Sequence, residues 1–105
     1  MSSKPENDLV VVRVNGDLVS TTAASVRGEI DTAISAADEA RSWSVFQLDL
    51  ATAKMIDSVG LNLVVSLLKR LQARERRLQV TYCDPNVLRT LTFTRLDKQI
   101  ELVKI

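Results

Sequence analysis

Phe46 to Leu71 reads FQLDLATAKMIDSVGLNLVVSLLKRL. At its start Leu48 and Leu50 flank Asp49, and the alternation predicts a strand over Ser44–Leu50 with one strongly apolar face. From Ser58 to about Ala73 the period changes to helical, and Leu61, Val64, Val65, Leu68 and Leu71 fall on one side of the wheel, the side expected to be core. Val59, Leu63, Ser66 and Arg70 fall on the other side, so two aliphatic residues are expected to look outward beside small and basic neighbours. A strand, a short connection (ATAKMID) and an apolar helix are the beginning of a strand–helix–strand unit.

The flanking segments extend that pattern. LVVVRV (Leu9–Val14) is β-branched and runs into Asn15-Gly16, a tight-turn signal, after which Asp17–Ser20 is expected to return as a short partner strand. Val26, Ile30, Ala33, Ile34 and Ala37 recur at helical spacing and predict a helix from Thr22 to about Ala40, capped by Ser20, Thr21 or Thr22. LQVTY (Leu78–Tyr82) reads as a further strand, Asn86–Phe93 as a short helix after Pro85, and QIELV (Gln99–Val103) as a last strand. Strands separated by helices imply a sheet covered by helices, with at least some parallel pairing through right-handed crossovers. The helix ending near Ala73 enters Arg74–Arg77 with no glycine for the left-handed cap position, so a charged residue is expected to adopt it.

The chain has 105 residues, 46% apolar and 26% charged, the balance of one soluble globular domain. Residues 1–7 are expected to be a flexible polar segment and residues 8–105 the domain. A formal charge of +1 supplies no global field to hold nucleic acid or an anionic membrane. One cysteine and no histidine argue for a reducing, cytoplasmic setting and against metal sites and His-based catalysis. No apolar run reaches the length of a membrane span, and MSSKPEND lacks the apolar core of a signal peptide. No P-loop, ligand cluster or activated nucleophile can be assembled by spacing, so an enzyme is not expected and no cofactor is implied. Weak nucleotide binding at the helix end is the residual alternative.

Asp57, Ser58 and Gly60 sit where the apolar helix begins. Asp57 or Ser58 can cap it, accepting hydrogen bonds from amides that otherwise lack partners. Gly60 is not explained by capping: glycine in a first helical turn costs about 0.5–1 kcal/mol relative to alanine, so something is expected to approach its backbone closely. The same helix end would accommodate a phosphate on Ser58, because free amides and the positive end of the dipole converge there. That charge, about −1.5 to −2, would appear beside Val59 and Leu63 and change which partner binds.

FQLDLATAKMIDSVGL (Phe46–Leu61), GDLVSTTA (Gly16–Ala23) and DPNVLRTLTFTRL (Asp84–Leu96) together resemble the STAS domain, most closely its stand-alone members, the anti-sigma factor antagonists. The resemblance covers about Asp8 to Val103. It implies a single-domain α/β fold with a four- or five-stranded mixed sheet covered by helices. It also implies a protein-binding switch: a serine kinase that is also an anti-sigma factor phosphorylates the serine after the motif's aspartate, here Ser58, and a phosphatase resets it. On this reading Asp57, Val59 and Gly60 complete the phosphoacceptor loop, with Asp57 orienting it, and Val59, Asn62, Leu63 and Ser66 form the partner-binding face. Three positions depart from the pattern. Val59 replaces a second small hydroxyl residue, Val19 replaces an aspartate facing the acceptor, with Asp17 nearby, and Arg95 replaces a glycine at the end of the last helical segment. The alternative is a STAS adaptor subunit of a transport or stress-sensing complex that works without phosphorylation.

The remaining residues invite plainer readings. Cys83 is expected to be a small buried or half-buried thiol, Arg74–Arg77 solvated surface, Trp43 and Phe46 filling around the Val45–Leu50 strand, and Thr90, Thr92 and Thr94 capping or surface residues.

Overall fold

The computed structural model describes residues 9–40 and 42–105. The expectation for residues 1–7 therefore lies outside the described residues. Strands β1 (Leu9–Arg13), β2 (Val45–Leu50), β3 (Arg77–Tyr82) and β4 (Glu101–Lys104) alternate with helices α1 (Ala23–Ala40), α2 (Ser58–Ala73) and α3 (Pro85–Phe93), and a 3-10 turn (Leu96–Lys98) precedes β4.

The strands lie in the order β1-β2-β3-β4, and every neighbouring pair is parallel, with Val10 opposite Phe46, Phe46 opposite Leu78 and Val80 opposite Leu102. The expected mixed sheet is thus parallel among the described residues. The physical reason is the connections: each strand is followed by a helix that returns the chain to the same end of the sheet. Right-handed crossovers that advance one strand at a time in one direction put all three helices on one face. That face carries Val10, Val12, Phe46, Leu48, Leu50, Leu78, Val80 and Tyr82, all buried. The other face bears polar pairs: Gln47 Nε2 donates to Gln79 Oε1 at 2.7 Å, and Thr81 Oγ1 donates to Asp49 Oδ1 at 3.1 Å.

Asp17–Ser20 does not return as a hairpin strand. Gly16 takes φ +84°, and Leu18 then forms a single parallel bridge with Ile56: its amide donates to the Met55 carbonyl at 3.1 Å, and its carbonyl accepts from the Asp57 amide at 3.3 Å. The residues after the Asn15-Gly16 turn therefore pair with the connection leading into α2.

Two non-glycine residues occupy the left-handed region. Glu75 (φ 58°) follows α2, and the Arg76 amide closes the cap on the Leu71 carbonyl at 2.8 Å, as the absence of a glycine there required. Arg95 (φ 65°) stands between α3 and the 3-10 turn, so that turn keeps a left-handed residue without the glycine. The last strand begins at Glu101, later than expected, because Leu96–Lys98 form the turn first.

Arg74 and Arg76 are not simply solvated. Their guanidinium carbons stand 5.5 and 4.0 Å from the centroid of the Trp43 ring, and both groups bond Asp38 Oδ1, at 2.8 and 3.2 Å. Trp43 Nε1 donates to the same oxygen at 2.9 Å, and the ring meets Phe46 edge-on at 6.3 Å. The cluster ties the end of α1 to the exit of α2 around a buried indole. The Arg74 hydrogen bond, then that of Trp43, hold the Asp38 carboxyl down at about 2 from its ordinary 3.8. Because the folded value lies below the unfolded one, the cluster's contribution to stability is complete above about pH 4 and lost as pH falls towards 2. Asp38→Asn should flatten that part of the acid-unfolding curve, read by Trp43 fluorescence.

Candidate functional site

The site forms where the Leu18–Ile56 bridge delivers two loops to the start of α2. Asp57 is extended (φ −94°, ψ −175°) and caps the helix: Oδ1 accepts from the Gly60 amide at 2.9 Å, while Oδ2 accepts from the Ser20 amide at 2.8 Å. One carboxylate thus joins the first turn of α2 to the loop before α1. The Gly60 amide first, and the Ser20 amide after it, hold the Asp57 carboxyl below its ordinary value. Its charge persists through the neutral range, and its contribution to stability is lost only in acid.

Gly60 is buried, and a Cβ built on it would lie far inside contact with the Leu18 carbonyl oxygen. The close approach that the glycine predicted is that of the Leu18 peptide. Together, the cap and this contact fix the 17–22 loop against the helix end. The loop is also closed on itself, as Thr22 Oγ1 donates to the Asp17 carbonyl at 2.8 Å and accepts from the Val19 amide at 3.0 Å. Asp17 does not turn to the acceptor position: its Oδ1 accepts from the Lys54 amide at 2.8 Å, holding the connection instead.

Ser58 is the first residue of α2 and is exposed; among the described residues no hydrogen bond engages its hydroxyl. Val59 (44% exposed), Asn62 and Ser66 follow it on the open side of the helix. Leu63 does not. It is 2% exposed, because the buried side of α2 comprises Gly60, Leu63, Val64, Leu67, Leu68 and Leu71, whereas Leu61 and Val65 are half-buried. The sheet alone would leave Leu63 at the margin; α1 packed alongside α2 covers it. The outward-facing leucine expected from the wheel is therefore part of the core.

Met55, missed in the sequence, supplies the apolar surface that Leu63 does not. It is 55% exposed, next to buried Ile56 and four residues before Val59. No local signal marks it, because what turns Met55 away from the core is the extended pairing of Ile56 with Leu18, a long-range contact. Cys83 is exposed, not buried: it lies just beyond Tyr82, and the next residue, Asp84, caps α3 by accepting from the Asn86 amide at 2.8 Å. Among the described residues no group of three or more His, Cys, Asp or Glu side chains could hold a metal ion, and no helix is long and apolar enough to cross a membrane.

The site thus presents one exposed hydroxyl at a helix N-terminus, on two loops joined through Asp57 and the Leu18–Ile56 bridge, with Met55 and Val59 exposed on either side of it in the chain. Comparison with known proteins agrees with this architecture. A family model, STAS domain, matches residues 2–105. A Thermotoga maritima protein described as a candidate anti-sigma factor antagonist superposes with a TM-score of 0.78 at 20% identity, over 93% of this chain and 80% of its own. The anti-sigma factor antagonist SpoIIAA in its unphosphorylated form gives 0.68 at 20% identity, over 100% of this chain and 84% of its own. A sulfate transporter family protein from Wolinella succinogenes gives 0.72 at 16% identity, over 93% and 79%. A comparison with curated proteins returns no match. With its parallel sheet, its Asp-Ser-Val-Gly helix start and a family match along almost its whole length, the chain belongs to the STAS domain family.

Proposed function

We propose that this protein is an anti-sigma factor antagonist-type switch whose affinity for a partner serine kinase is set by phosphorylation of Ser58. The observation that carries the reading is the contrast between neighbours: Asp57 spends both carboxylate oxygens on the fold, while the adjacent Ser58 hydroxyl is exposed and unengaged among the described residues. A phosphate can therefore be added without dismantling a structural contact. The positive end of the α2 dipole offsets part of its charge. Unmodified, the Met55/Val59 rim and the polar residues Asn62 and Ser66 offer a small mixed surface for the kinase; modified, that surface carries a dianion whose desolvation opposes docking. A phosphatase restores the first state. The protein acts as a bound ligand of these enzymes and catalyses nothing itself, and the reading places it in the cytoplasm.

The similarity to a sulfate transporter family protein, together with Val59 in place of a second hydroxyl residue, favours a second reading, an adaptor that works without phosphorylation. Intact-mass measurement of the protein from its native host, with the modified site mapped, separates the two. The switch predicts a population carrying one phosphate, on Ser58. A homogeneous unmodified protein that co-purifies with a membrane transport subunit would establish the adaptor instead.

A further inference from the structure

Two helical turns along α2 from Ser58, about 12 Å at 1.5 Å per residue, a cleft of about 80 Å³ opens between α1 and α2. Its floor is apolar, made by the buried side chains of Ile30, Leu63 and Leu67, and its walls are Arg27 and Asp31 from α1 and Ser66 and Arg70 from α2. Arg70 Nη1 bonds Asp31 Oδ1 at 2.6 Å. That uses one of the five donors of its guanidinium, leaving the others for a second acceptor. Arg27 is exposed and makes no ion pair among the described residues. The cleft therefore holds two cations against one carboxylate, on the same exposed side of α2 as Val59, Asn62 and Ser66.

We propose that this cleft seats a glutamate side chain of the partner kinase, a reading that rests on the switch proposed above. The methylenes would lie over Ile30 and Leu67, and the carboxylate would be shared between Arg27 and the free donors of Arg70, with the Ser66 hydroxyl as a further donor. An apolar floor beside two guanidinium groups suits a carboxylate carried on a short methylene stem. The contact gives the docking face a second anchor, remote from the modified serine, and fixes the register in which Ser58 meets the kinase.

The test uses the full chain and the purified kinase that phosphorylates it, with affinity measured without ATP over a range of salt concentrations. Arg27→Gln should weaken binding about tenfold and reduce its salt dependence, and Arg27→Glu should weaken it further. Asp31→Asn removes the internal competitor for Arg70 and should tighten binding several-fold, a gain that a merely structural role for the Arg70–Asp31 pair would not produce. Unchanged affinity in Arg27→Glu and Asp31→Asn, with Ser58 still phosphorylated at the wild-type rate, would overturn the cleft and leave the switch standing. Phosphate taken up at a residue other than Ser58 would overturn the switch, whatever the Arg27 and Asp31 variants show.

Discussion

Ser58→Ala is expected to take up no phosphate from the partner kinase and ATP, whereas the wild-type chain takes up one. The difference is all or none because the motif holds a single acceptor: Val59 has no hydroxyl, and Ser66 lies two turns away over the α1–α2 cleft. The variant should fold as the wild type does, since the Asp57 cap uses the Gly60 and Ser20 amides and never the Ser58 side chain. It should also keep its affinity for the kinase, being locked in the unmodified state. Ser58→Asp carries the opposite expectation, a normal melting temperature with binding weakened at least tenfold, because a carboxylate stands where the partner requires an uncharged surface. Phosphate that persists on Ser58→Ala would remove this residue from the mechanism.

Gly60→Ala is expected to cost more stability than an alanine at either of the other two glycines, Gly16 or Gly28. Alanine is the better helix former by about 1 kcal/mol. That gain is outweighed because the new Cβ meets the Leu18 carbonyl, a backbone group that no rotamer change can move aside. Overpacking of this kind costs up to about 3 kcal/mol, leaving a net loss of roughly 2 kcal/mol and a melting temperature lower by about 8–16 °C for a domain of this size. The Leu18–Ile56 bridge and the Ser20–Asp57 bond should part together, so amide exchange at Leu18, Ser20 and Asp57 should accelerate far more than exchange in β2 or β3. Gly28→Ala is the control, since its Cβ would meet nothing within 4 Å and the helix should gain stability. Equal melting temperatures for Gly60→Ala and wild type would mean that the loop does not rest on the helix as described.

These expectations rest on features with different origins. The bounds of α2, the close approach at Gly60 and the left-handed charged residue after the helix were legible because each is a local conflict: a cap residue before an apolar run, a poor helix former inside a first turn, and a helix exit with no glycine. The direction in which α2 is turned was not legible. Its polar residues gather on one side, but aliphatic residues border that side on both edges, and which of them are covered depends on where α1 lies, a long-range fact that buries Leu63 and leaves Leu61 half-covered. The same holds for Arg74 and Arg76. In sequence they are part of a charge run, and only the fold brings Trp43 and Asp38 beneath them. Asp17–Ser20 misled for a related reason: Asn15-Gly16 signals a turn, and nothing local says that the following residues pair in parallel with a segment some forty residues on. The pairing with Ile56 is what makes the site, because it brings Ser20 to Asp57 and the Leu18 peptide to Gly60.

The proposed switch requires that charge at one side chain change recognition while the architecture beneath it stays fixed. The direct measurement is the affinity of the purified kinase for the two forms of the chain, unmodified and phosphorylated on Ser58, titrated side by side under identical salt. The unmodified form should bind at least tenfold more tightly, with both forms melting at the same temperature. Equal affinities, or a phosphorylated form that binds less only because it has unfolded, would contradict it.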